Sequence, residues 1–148
     1  MDNQKKIIEK FKKSLPFYSQ NCLKIVDKQG NMVPLEFNAA QLQLDKQIKT
    51  QMSRQNKVRM LILKSRQTGI STYCQARGFW QTATRQNQNA VVVSHLTEST
   101  KAIFNMVRLY YDNLPHSLVK PELKESTASS LAFVHGSRWR IATTRTSE

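Results

Sequence analysis

A lysine, an arginine, a glycine and two hydroxyl residues fall together in one stretch, Lys64-Ser65-Arg66-Gln67-Thr68-Gly69-Ile70-Ser71-Thr72. Residues of these types can hold a chain of phosphates. The glycine lets the backbone approach an anion closely, the cations neutralise it, and a Ser or Thr oxygen can ligate Mg²⁺. In the common pattern GxxxxGK[ST], Gly69 and Ser71 are in register. Ile70 stands where the lysine belongs, however, and Lys64 replaces the first glycine. A long, flexible ammonium side chain at the start of the loop can still reach phosphates, and Arg66 adds a permanently charged, bidentate donor. The competing reading is an ordinary strand-to-helix turn whose charges face water.

Such a loop works only if a strand delivers it and a helix begins behind it. Val58 to Leu63, VRMLIL, predicts a buried strand of the parallel type. Ile70 to about Arg85 predicts a helix with Tyr73, Ala76, Phe79 and Trp80 on one apolar face. Ala90 to Val93 predicts a second buried strand. Thr97 to Asn113 predicts another helix, with Ile103, Val107, Tyr110 and Leu114 on one side. This order calls for an α/β fold with a parallel sheet and right-handed crossovers. Beyond Pro115, Leu131 to His135 and Trp139 to Thr143 read as a hairpin around Gly136-Ser137-Arg138. Upstream, residues 2 to 14 read as a basic amphipathic helix stopped by Pro16. Leu23 to Asp27 and Met32 to Phe37 flank a turn at Lys28-Gln29-Gly30-Asn31. Asn38 caps a helix reaching about Gln55, with Leu42, Leu44, Ile48 and Met52 as its apolar positions.

The remaining reactive side chains carry less. Cys22 and Cys74 fit no CxxC spacing, and neither pairs with His95, His116 or His135 as nucleophile and base. Core or surface roles are expected for all five. The N-terminus lacks the apolar core of a signal peptide, and no apolar run approaches the 18 or more residues of a membrane span. A cytoplasmic protein with reduced thiols and no membrane association is therefore expected. The 148 residues include 23 Lys plus Arg against 10 Asp plus Glu, a formal net charge of +13. A field of that sign attracts polyanions such as nucleic acid or nucleotide phosphates.

The stretch LKSRQTGIST resembles the deviant Walker A loop of the large terminase subunits of tailed bacteriophages, in which an Arg-Gln pair precedes the glycine. Pro34-Leu35-Glu36-Phe37-Asn38-Ala39-Ala40-Gln41 resembles the adenine-recognising segment of that family. AVVVSHLTEST resembles its next strand and helix, and LAFVHGSRWRIATT the hairpin before its Walker B strand. The resemblance covers about residues 30 to 145, and its specificity rests mainly on the loop. It implies a P-loop NTPase fold of the RecA/ASCE type, a parallel sheet flanked by helices. A lead-in segment would occupy residues 1–30 and a partial ATPase domain residues 31–148, stopping before the Walker B strand.

By that resemblance Lys64 binds phosphate, Ser71 ligates Mg²⁺, Thr72 is a neighbouring phosphate contact, and Arg66 stabilises charge on the transferring phosphoryl group. Ser65, Gln67, Thr68, Gly69 and Ile70 would complete the ATP-binding loop. Gln41 would read the adenine edge, since an amide offers a donor and an acceptor together, and Phe37 would lie against the ring. A core role for Phe37 and an exposed polar helix position for Gln41 are the alternatives. The implied activity is ATP-driven movement of double-stranded DNA into a procapsid within the host cytoplasm. Its implied partners are a portal protein, a small terminase subunit and further copies in a ring. The paired Asp-Glu that anchors Mg²⁺ and orients water in this family is not found, because Glu122, Glu125 and Glu148 follow no apolar run. The family's nuclease domain is not found either. The chain is thus expected to bind ATP without hydrolysing it efficiently. Two other functions compete: a RecA-like helicase or translocase, against which the displaced lysine and the Arg-Gln pair argue, and a non-catalytic nucleic-acid-binding or assembly module.

Overall fold

The computed structural model describes residues 2–115 and 120–144; His116 and Glu148 lie outside them. It is a mixed α/β structure whose elements follow in the order α1 (Asp2–Lys13), α2 (Leu15–Cys22), β1 (Lys24–Val26), β2 (Met32–Pro34), α3 (Ala39–Gln55), α4 (Ile70–Thr84), β3 (Asn89–Ser94), α5 (Thr97–Asp112), β4 (Leu123–Ser126), β5 (Ser130–Phe133) and β6 (Arg138–Thr143).

The helices form where their local signals stand. Asn38 caps α3 in a reciprocal capping box: its Oδ1 accepts from the Gln41 amide N–H at 3.0 Å, and Gln41 Oε1 accepts from the Asn38 N–H at 2.8 Å. Pro16 does not end helical structure as expected. It sits in the first turn of a second helix, α2, capped by Ser14, where a missing N–H costs nothing. Between β1 and β2 the turn closes on Asp27, whose Oδ1 accepts from the Gln29 and Asn31 N–H groups, with Gly30 at a φ of +85°.

The main sheet has four strands in the order β3-β6-β5-β4, and only β3 and β6 run parallel. The expected parallel sheet is thus corrected to a mixed one. The hairpin is confirmed as β5 and β6, and β4 is a further antiparallel strand. Helices α4 and α5 cover one face of the sheet: Phe104 meets Trp139 at 6.0 Å between ring centroids, and Gly78 lies close to Trp139 and Ala90. On the other face Val91 and Val93 of β3 are exposed, as are Arg138 and Arg140. The second strand is therefore half-exposed, not buried.

The largest correction concerns Val58 to Leu63, which forms no strand. Val58 and Met60 pack against the core, but Leu61 and Leu63 are fully exposed. A strand is stable only when its backbone is paired, and here a side chain takes the place of a neighbouring strand. Gln51 accepts from the Arg59 N–H at 2.9 Å and donates to the Arg59 carbonyl at 3.2 Å. On α3, Leu44 and Ile48 are buried as expected, whereas Leu42 and Met52 are exposed.

One hydrophobic core runs from α1 to β6. It includes Phe11, Leu15, Tyr18, Tyr73, Phe79, Trp80, Tyr110, Leu131 and Trp139. Among the described residues no helix is long and apolar enough to cross a membrane.

Candidate functional site

The loop of residues 64–69 enters α4 through Gly69, the helix N-cap, at φ +75° and ψ 4°. Gln67, just before it, is also left-handed at φ +60°. Two left-handed positions so close together turn the chain sharply. They spare β-branched Thr68 and Ile70 a conformation that would strain them. Thr68 helps close the turn, its hydroxyl donating to the Ser65 carbonyl at 3.4 Å.

Where α2 and α3 begin with a capping side chain, α4 does not. No side chain caps its N-terminus, and its first turn carries no acidic residue. The opening N–H groups of a helix are unsatisfied donors at the positive end of its dipole. Around this end Lys64, Ser65, Arg66, Gln67 and Ser71 are exposed, Thr72 is half-buried, and Ile70 is buried as an anchor. Thr72 is further fixed through its carbonyl, which accepts from the Tyr110 hydroxyl at 3.5 Å.

The loop is gripped from behind by α3. Asn38 Nδ2 donates to the Thr68 carbonyl at 3.2 Å, and Gln41 Nε2 donates to the Gly69 carbonyl at 2.7 Å. The Gly69 carbonyl also accepts the first helical bond, from the Tyr73 N–H at 3.0 Å. A Cβ on Gly69 would lie 2.7 Å from Gln41 Nε2, so the approach itself requires glycine. Gln41 is only 3% exposed, and both ends of its amide are engaged within the protein. Phe37, half-buried, packs on Tyr73 at 5.2 Å between ring centroids.

One turn further along both helices, Asp45 is buried and central to a polar cluster. It pairs with Lys49 at 2.7 Å, accepts from the Tyr73 hydroxyl at 2.8 Å, and lies 3.5 Å from Arg77. Burial, with Asp45 also acting on it, holds the Tyr73 phenol well above its ordinary pKa. Sequence patterning marks Tyr73 only as part of the apolar face of α4 and does not point to Asp45 or Arg77. The available signal was an aspartate between Leu44 and Ile48, on the face of α3 turned to the core.

The structure thus brings together Gln41, Thr68 and Gly69, with Phe37 on the adjacent Tyr73. Lys64 acts electrostatically on Cys74, one turn into α4. No protein-family model matches the chain, and no curated protein matches it. Among the described residues no three His, Cys, Asp or Glu side chains cluster as a metal site. His135 is stacked on Phe133 at 5.4 Å, and Cys22 is buried.

Proposed function

We propose that this chain is the ATP-binding part of a DNA-packaging motor of the large-terminase type, built on a P-loop ATPase fold, with Lys64-to-Thr72 as its phosphate loop. The observation that carries the reading is the uncapped, acid-free start of α4 at left-handed Gly69, with Lys64 and Arg66 exposed beside it. Backbone donors, a helix dipole and two cations close by in sequence suit a triphosphate, although the strand expected to deliver the loop is not formed.

In this reading Lys64 and Arg66 neutralise the phosphates, and Arg66 stabilises the charge that develops on the transferring phosphoryl group. Ser71 supplies one oxygen to Mg²⁺, which retains several waters and otherwise binds through the nucleotide. The metal would neutralise charge between the phosphates. The net charge of +13 and the exposed Lys124, Arg138 and Arg140 around one shallow groove suit double-stranded DNA as the polyanion moved. The exposed aromatic platform expected of a stacking-based nucleic-acid module finds no support in Tyr73 and Trp80, which are buried.

The deciding measurement is binding of a fluorescent ATP analogue with Mg²⁺. Lys64→Ala and Arg66→Ala are each expected to weaken it by about tenfold or more, about 1.4 kcal/mol. Native-like binding by both variants would remove the loop from the site.

A further inference from the structure

The contacts behind the loop have a directional consequence. In a planar trans peptide the carbonyl and the N–H point in opposite directions. The Thr68 carbonyl shares its peptide with the Gly69 N–H, and the Gly69 carbonyl shares its peptide with the Ile70 N–H. Asn38 holds the first carbonyl and Gln41 the second, both from the N-terminus of α3. With both carbonyls turned toward α3, the Gly69 and Ile70 N–H groups must face away from it, out of the start of α4.

We propose that Asn38 and Gln41 are positioning residues of the phosphate loop, which fix the Thr68 and Gly69 peptides so that their N–H groups meet the anion. This rests on the phosphate-site reading above and assigns Gln41 a different task from adenine recognition. Three observations support it. Gln41 is almost fully buried, its Oε1 is committed to the Asn38 N–H, and its Nε2 makes a 2.7 Å bond to the loop. Gly69 permits that approach, since any Cβ there would collide with the amide. The capping box therefore holds Asn38 and Gln41 to each other, and the pair in turn holds the loop. A preorganised donor pair avoids the cost of turning peptides when the anion arrives.

The test uses two ligands that share phosphates but not a base: MgATP and inorganic tripolyphosphate with Mg²⁺, titrated calorimetrically into the full chain. Gln41→Glu retains the acceptor for the Asn38 N–H and loses the donor to Gly69. Asn38→Ser retains the helix cap, but its shorter side chain loses the amide that reaches Thr68. Both variants are expected to weaken both ligands by a similar factor, about tenfold for Gln41→Glu. Asn38→Ser should do so while melting close to the native chain, which a merely structural role would not produce. Weaker ATP binding with unchanged tripolyphosphate binding by Gln41→Glu would overturn the proposal and return Gln41 to base recognition. Native-like affinity of both variants for both ligands would also overturn it. Failure of the native chain to bind either ligand would overturn the phosphate site itself, and this inference with it.

Discussion

Cys74 offers a residue-scale probe of the loop. Burial raises its thiol pKa, and the charges of Arg77 and Lys64 oppose that rise. Removing the Lys64 charge must therefore raise the pKa further and reduce the thiolate present at a given pH. Lys64→Ala is expected to slow alkylation of Cys74 by iodoacetamide at about pH 8, because the thiolate is the nucleophile. An unchanged rate would separate Lys64 from α4. Gly69→Ala carries two costs, a left-handed φ of +75° and a Cβ only 2.7 Å from Gln41 Nε2. The backbone component alone is about 1–2 kcal/mol. In a Gln41→Ala background the closest collision disappears, leaving the backbone cost and a 3.2 Å approach to Asn38 Nδ2. Urea denaturation should show Gly69→Ala less costly there than in the native chain. Legibility at this scale depended on what a residue needs. The glycine and the neighbouring cations were readable because the loop is contiguous. The engagement of Gln41 with a residue 28 positions away was not, since only the fold brings α3 to the loop.

Among the elements, α3 and α4 are joined by polar contacts as well as by packing. The buried Asp45 carboxylate is shared by Tyr73, Arg77 and Lys49. Asp45→Ala would leave the Tyr73 hydroxyl proton without its acceptor, the oxygen keeping only the Arg77 guanidinium at 3.3 Å, and is expected to cost about 2 kcal/mol. Chemical denaturation measures this, and a loss below about 0.5 kcal/mol would mean that water replaces the carboxylate. Helices α3, α4 and α5 were readable almost to the residue because the cap of α3 and the apolar spacing of α4 and α5 are local. The segment 58–63 was misread because its composition specifies a preference for strand without supplying the partner that makes one. Its exposed Leu61 and Leu63, with Val91 and Val93 on β3 at the sheet edge, form apolar surface of the kind that associates. Light scattering should show growth with concentration, reduced by Leu61→Lys with Leu63→Lys at unchanged melting temperature. A monodisperse native monomer at high concentration would refute this.

For the whole molecule, alkaline pH acts against the core. Burial pushes the Cys22 thiol from 9.0 up to about 12, and burial likewise raises the phenols of Tyr18, Tyr73 and Tyr110. Below the unfolded thiol value both states keep the proton, and this contribution to stability is complete. Above it the unfolded chain releases a proton that the native chain retains, so stability falls as pH rises toward 12. Urea midpoints should drop between about pH 8 and about pH 10.5, and less steeply for Cys22→Ala. The same core also holds the N-terminal helix in place. The Trp80 indole donates to the Phe11 carbonyl at 2.7 Å, and Arg85 lies over the Trp80 ring at 4.5 Å while donating to the Lys12 carbonyl. Trp139, the other tryptophan, lies in the sheet, remote from α1 in the chain. In a Trp139→Phe variant that remains folded, tryptophan fluorescence therefore comes from one ring attached to α1. Its emission colour is a native optical gauge of whether the first helix is seated, readable without any added dye.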